Sequence, residues 1–227
     1  ERQRDALTTL FSDEIAYAPA PLSQAEIAMV AKLAGRCFAD PAMPPHIALE
    51  WPEWLMVDTT AMLGDEVTAN LSALMMPAPT DIRMNPLKLS AQRQLRDRLA
   101  GQGIKCHPTS LSPFGVRLQK RTRLDGLQDW KKGKFDIQDE GSQLVSLLCD
   151  ARPGMQVVDM CAGAGGKSLL MAAMMQNKGR ILALDTSAER LERGGERLRR
   201  AGVHNVERKV VAENWSIWSW RGKFDRV

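Results

Sequence analysis

Apolar positions recur at helical spacing in the first third of the chain and gather into short strand-length runs in the last third. Ile27, Val30 and Leu33 fall on one face of a helix expected over 23–38, and Ser23 precedes Glu26 at the spacing of a capping box. Another helix is expected over 3–15. Pro41, Pro44, Pro45 and Pro52 interrupt the pattern. Over 53–76 the spacing predicts two short helices parted by Gly64, and Pro77 and Pro79 mark a boundary. Residues 1–78 therefore read as a helical N-terminal segment.

Residues 79–134 have a different rhythm. Asp81–Asn85, Ile104–His107 and Gly115–Leu118 are strand candidates. Ser90–Leu99 fits a helix with Leu95 and Leu99 on one face, stopped by Gly101 and Gly103. This is a small α+β module. From residue 135 strands and helices alternate. A helix over 140–148 leads to a strand over 156–160, a glycine-rich loop over 161–167 and a helix over 168–175. A strand over 180–185, a helix over 187–201, a strand over 206–211 and the start of a fourth strand at 224–227 follow. Such alternation implies a doubly wound, parallel α/β sheet.

Charge sharpens this division. The chain of 227 residues carries a formal net charge of +4, with 44% hydrophobic and 26% charged residues, an ordinary globular composition. Residues 1–78 hold 4 basic and 11 acidic side chains, whereas residues 79–134 hold 13 basic and 4 acidic ones. A middle module this basic points to a polyanion, because each neutralised phosphate releases counterions. Arg117, Lys120, Arg121 and Arg123 form one cluster, and Lys131, Lys132 and Lys134 form another beside Trp130. Between residues 79 and 124 Phe114 is the lone candidate for base stacking, so the paired aromatics of an RRM are missing.

No apolar run reaches the roughly 18 residues of a membrane span, and the first residues lack an apolar signal-peptide core. Cys37, Cys106, Cys149 and Cys161 form no Cys-x-x-Cys pair, and His46, His107 and His204 adjoin no acidic cluster, so no metal site is expected. Scattered thiols suit a reducing compartment such as the cytoplasm.

The loop Cys161-Ala162-Gly163-Ala164-Gly165-Gly166-Lys167 carries the chemistry. Glycines between a strand and a helix let backbone N–H groups approach a ligand. Gly166-Lys167-Ser168 resembles the end of a P-loop, but that motif needs glycine where Cys161 stands. A dinucleotide fingerprint beginning at Gly163 would need glycine where Ser168 stands. S-adenosylmethionine needs neither. It asks for an acid at the end of the next strand to take the ribose hydroxyls, and Asp185 stands there with two acceptor oxygens.

Two blocks make the reading specific. Phe135-Asp136-Ile137-Gln138-Asp139-Glu140-Gly141-Ser142-Gln143 and Asp159-Met160-Cys161-Ala162-Gly163-Ala164-Gly165-Gly166-Lys167-Ser168 resemble the Sun/Fmu (RsmB-like) RNA cytosine-5 methyltransferases. Arg83-x-Asn85-x-Leu87-Lys88 and Pro52-Glu53-Trp54-Leu55 resemble earlier segments of the same family. Gly163 and Ala164 stand where the family usually has alanine and proline.

The resemblance implies a partial Rossmann-like methyltransferase sheet over 135–227, preceded by an RNA-binding module over 79–134. It assigns Cys161, Ala162, Gly163, Ala164, Gly165, Gly166 and Lys167 to the methionine part of S-adenosylmethionine, Asp185 to the ribose, and Glu213 to the adenine side. It also implies an RNA substrate, expected to be ribosomal, contacted through the two basic clusters. A monomer is expected, with neither membrane nor metal as partner. In this family a thiolate adds to carbon 6 of cytosine so that carbon 5 can accept the methyl group. Both family cysteines follow the fourth strand, and none of the four cysteines here fits either role, so no catalytic residue is assigned within this sequence and the chain is expected to be truncated before them. A non-catalytic RNA-binding relative and a nicotinamide-dependent dehydrogenase are the alternative readings.

Overall fold

A computed structural model describes residues 10–14, 16–33, 35, 40–212, 215 and 220–227. The chain divides into two compact units, Glu1–Pro77 and Ala78–Val227.

In the first unit, α1 (Gln24–Leu33), α2 (Pro45–Ala48), α3 (Glu53–Leu63) and α4 (Val67–Met75) are described, with a 3-10 turn at Gly64–Glu66. The capping box forms reciprocally. Glu26 N donates to Ser23 Oγ at 3.3 Å, and Ser23 N donates to Glu26 Oε2 at 2.7 Å. The helix expected over 3–15 falls mostly outside the described residues. Within it, residues 10–14 form turns, and Ser12 N donates to Pro19 O at 3.0 Å. Leu49 and Leu71 are buried, and Trp51 Nε1 donates to Thr59 Oγ1 at 3.0 Å.

The second unit begins with β1 (Thr80–Met84), α5 (Gln92–Ala100), β2 (Cys106–Pro108), β3 (Gly115–Leu118), α6 (Gln128–Lys131) and β4 (Phe135–Ile137). The strands form an antiparallel sheet in the order β2-β3-β1-β4. This β-α-β-β-α-β chain order is the split βαβ arrangement. The boundary expected at 134/135 falls just before β4, yet β4 belongs to this sheet because it pairs with β1.

Strand alternation gives the sheet two unlike faces. Ile82, Met84, Val116, Leu118 and Phe135 meet Leu95 and Leu99 in an apolar core. On the other face Asp81, Arg83 and Asp136 are buried polar groups. Opposite charges pair there. Arg117, in register with Asp81, donates to it through Nε at 2.7 Å and Nη2 at 2.8 Å.

Next come α7 (Glu140–Leu148), β5 (Gln156–Asp159), α8 (Gly166–Met174), β6 (Arg180–Asp185), α9 (Ala188–Ala201) and β7 (Val206–Val210). The strands form a parallel Rossmann-like sheet in the order β5-β6-β7. Val157 also makes a parallel bridge to Arg226 on the outer side of β5. The chain thus runs outward one way from β5 through β7 and then returns to its other side. Such a reversal is a topological switch point, and ligands bind beyond the carboxyl ends of the strands there. Val157 and Ile181 pack with Leu169 and Ala172 of α8, Met175 at its C-cap and Leu198 of α9. Val158, Leu182 and Leu184 face Trp215, Trp220 and Phe224 on the opposite side. Among the described residues no helix is long and apolar enough to cross a membrane.

Candidate cofactor site and nucleic-acid face

The glycine-rich loop leaves the carboxyl end of β5, beside the reversal in strand order. Ala162 N donates to Leu184 O at 2.8 Å, and Gly163 N donates to Asp185 Oδ2 at 2.8 Å, so the loop is pinned to the end of β6. Gly165 N closes a turn onto Ala162 O at 2.8 Å. Gly163 has φ +53 within that turn, a conformation in which alanine would be strained. Asp185 is itself buried. Its Oδ1 accepts from Ser187 N at 2.8 Å. The bonds from Ser187 and Gly163 hold its carboxyl below the usual 3.8. The group is ionised at neutral pH, and each oxygen keeps a lone pair for a further donor.

Past the turn, Gly165 stands at the N-cap of α8 with φ +79. Leu169 N returns to Gly165 O at 2.8 Å. The first-turn N–H groups before it are orphans of the helix, and an acceptor group at this end would be favoured. Ser168 is part of the packing at this end of α8. Its hydroxyl is buried and donates to Asp159 Oδ2 at 2.6 Å, tying the helix to β5. Lys167 and Cys161 are exposed. Loop and Asp185 are therefore brought together as the sequence implied. Glu213 lies outside the described residues.

The two blocks that carry the resemblance prove largely architectural. Phe135 is buried against Trp130, with ring centroids 5.6 Å apart. Asp136 accepts from Arg197 Nε at 3.0 Å and Arg200 Nη2 at 3.2 Å. Asp139 caps α7 through Ser142 N. Glu140 accepts from the backbone of Leu111 at 2.6 Å and Ser112 at 2.9 Å. Gln143, fully buried, joins Gln138 O at 2.8 Å to the Ser112 hydroxyl at 2.6 Å. In the earlier segment, Asn85 Nδ2 donates to Gly133 O and Ala201 O, both at 2.8 Å. Lys88 Nζ donates to Lys132 O at 2.6 Å and Arg200 O at 2.7 Å. Burial and the nearby Arg197 charge lower the Arg83 guanidinium to about 10, against the favourable charge of Asp136. These side chains lock the small sheet onto the end of α9.

The basic clusters separate into two kinds. Arg117 is held by Asp81 and lies 3.8 Å from Glu140, and Lys134 Nζ lies 2.7 Å from the buried Asp129. These two are structural. Arg123 pairs in the open with Asp125 at 2.8 Å. Lys120, Arg121, Lys131 and Lys132 are exposed and form no ion pair among the described residues. No group of three or more potential metal ligands occurs among the described residues.

Sequence reasoning missed Arg197 and Gly194. Arg197 Nη1 donates to Ala164 O at 2.9 Å. A Cβ at Gly194 would stand 3.3 Å from the carbonyl carbon of Ala164, so this glycine lets α9 approach the loop. The Gly194-Gly195 pair inside an otherwise polar, amphipathic helix is the sequence signal that hints at the close contact.

Two family models match the chain. One, described as 16S rRNA methyltransferase RsmB/F, matches residues 146–227, and the other, described as the RsmF/B-like ferredoxin-like domain, matches residues 51–125. A probable ribosomal RNA small subunit methyltransferase B from Bacillus subtilis is 31% identical over 178 residues, which is 78% of this chain and 39% of that protein. The chain thus spans about two fifths of the length of the curated relatives it matches. A methyltransferase homologue from Pyrococcus horikoshii superposes with TM-score 0.69 at 26% identity, covering 76% of this chain and 57% of that one. The crystal structure of PH0851 superposes with TM-score 0.72 at 26% identity, covering 85% and 44%.

Proposed function

The chain belongs to the Sun/Fmu (RsmB/F) family, and on that footing we propose that it supplies the cofactor-binding part and an RNA-binding module of an S-adenosylmethionine-dependent ribosomal RNA cytosine-5 methyltransferase. The observation that carries the reading is the joined pair of loop and acid, with Gly163 N on Asp185 Oδ2 at 2.8 Å beside the reversal in strand order. Asp185 takes the ribose hydroxyls, and the loop Cys161–Lys167 with the start of α8 takes the amino-acid end. When bound, the cofactor supplies an electrophilic methyl group. This chain's residues hold and orient it.

Lys120, Arg121, Lys131 and Lys132, with Arg123 at its rim, steer the RNA by its phosphates and read no base. Arg117 and Lys134 are instead engaged by the carboxylates of Asp81 and Asp129. The target cytosine must be single-stranded or flipped out of its stack. The nucleophilic thiolate of the reaction is not assigned to any of the four cysteines here.

Ultraviolet crosslinking with methyl-labelled S-adenosylmethionine, followed by peptide mapping, tests the reading. Label in a peptide containing 161–167 that unlabelled S-adenosylhomocysteine displaces, and NAD or ATP does not, is the expected result. Displacement by NAD instead would transfer the site to a dehydrogenase.

A further inference from the structure

Among the described residues, Arg197 is the side chain that grips the loop at Ala164. The first half of the loop is pinned to β6 through Ala162 and Gly163, and its second half runs into α8. Between them, the carbonyl of Ala164 faces α9 and accepts from Arg197 Nη1 at 2.9 Å. The same guanidinium donates through Nε to Asp136 Oδ2 at 3.0 Å and reaches Ile137 O at 3.5 Å through Nη2. Three faces of one planar fork are used at once, which an ammonium cannot reproduce.

Asp136 is fixed in turn. It is buried in β4 and shared with Arg200, whose guanidinium lies 3.9 Å from the centre of the Trp130 ring. The buried amide of Gln138 lies along the same seam. Its nitrogen would stand 3.8 Å from a Cβ built on Gly166, as would Arg197 Nη2, and it has no hydrogen-bond partner. The Ala164 carbonyl is therefore held from α9 by Arg197, itself oriented by Asp136 of the small sheet, in addition to the bonds the loop makes to itself and to β6. Ala164 occupies the place where the family resemblance leads one to expect a proline, whose ring would fix φ locally.

We propose that Arg197, oriented by Asp136 of β4, is a positioning residue that holds the loop Cys161–Lys167 in its ligand-binding shape. The ligand concerned, the amino-acid end of S-adenosylmethionine, rests on the function proposed above. The loop's shape does not. The fork stabilises the turn in which Gly163 N meets Asp185 and Gly165 N meets Ala162 O. Loss of the fork frees Ala164 O and lets that turn open.

Amide hydrogen exchange by NMR on the whole chain, with and without S-adenosylhomocysteine, tests this. In Arg197→Ala the amides of Gly163 and Gly165 should exchange about tenfold faster or more, while those of Ile181 and Leu182 in β6 keep their rates. Arg197→Lys should restore thermal stability by keeping a charge beside Asp136, yet leave Gly163 and Gly165 fast, which a purely structural role would not produce. Asp136→Asn should act on the same two amides and covers the case of an Arg197→Ala protein that does not fold. The dissociation constant for S-adenosylhomocysteine should rise about tenfold in each variant. Unchanged exchange at Gly163 and Gly165 in the Arg197 variants would overturn the proposal. A wild-type chain that shows the exchange pattern but binds no S-adenosylhomocysteine would retain the positioning role and remove the cofactor reading.

Discussion

Gly163 donates its backbone N–H to Oδ2 of Asp185 at 2.8 Å, which makes the glycine-rich loop and the end of β6 parts of one corner. A second backbone bond, from Ser187, occupies the other oxygen at 2.8 Å. The carboxylate therefore has two tasks. It organises the loop and keeps lone pairs for further donors.

Asp185→Asn should weaken S-adenosylhomocysteine binding by about tenfold or more, since a bond to a charged group contributes roughly 1.5–3 kcal/mol. The pH dependence has a definite sign. The Ser187 and Gly163 bonds lower this carboxyl below 3.8. Its stabilising contribution is complete above that unfolded value and is lost only as pH falls through the lower folded value. Binding that depends on Asp185 should stay level from about pH 8 to pH 5, as calorimetry at several pH values will show.

The basic residues should divide by their partners. Lys120→Glu, Arg121→Glu, Lys131→Glu and Lys132→Glu should weaken binding to single-stranded RNA, with thermal stability unchanged. Each lost phosphate contact should lower the salt slope by about 1. Arg117→Ala and Lys134→Ala should instead lower stability, because each leaves Asp81 or Asp129 buried without its main cation. Filter binding over a salt series, beside denaturation curves, separates the groups.

Asn85 should matter to folding more than to RNA. Its side-chain nitrogen serves the carbonyls of Gly133 and Ala201 together. Asn85→Ala should cost about 2 kcal/mol in urea unfolding with little change in the slope.

Gly194→Ala sets two effects against each other. A helix interior gains about 1 kcal/mol from alanine over glycine. The added Cβ would press on the Ala164 carbonyl carbon at 3.3 Å. The expected outcome is an unchanged or raised melting temperature with weakened S-adenosylhomocysteine binding, read by thermal unfolding and calorimetry on the same sample.

Local signals were legible in the sequence. The Ser23–Glu26 capping box, the helix over 140–148 and the strand-loop-helix around Cys161–Lys167 each depend on near neighbours, and the structure contains them. Strand β4 was not legible, because Phe135–Ile137 is too short for alternation to show and it exists by pairing with β1. The pairing of Arg117 with the buried Asp81 follows from strand register, which charge counting does not reveal. The grip of Arg197 on the loop was hidden for a similar reason. Its partner Asp136 lies 61 positions away, and Ala164 lies 33 away. Asn85 and Lys88 belong to a recognisable segment, yet their partners at the end of α9 are more than 100 positions distant.

The most direct measurement is a calorimetric titration of the folded chain with S-adenosylhomocysteine, repeated on Asp185→Ala. The account predicts a single site in the wild-type chain, weakened about tenfold or more in the variant. Absence of binding by a chain of verified fold, or equal binding by both proteins, would contradict it.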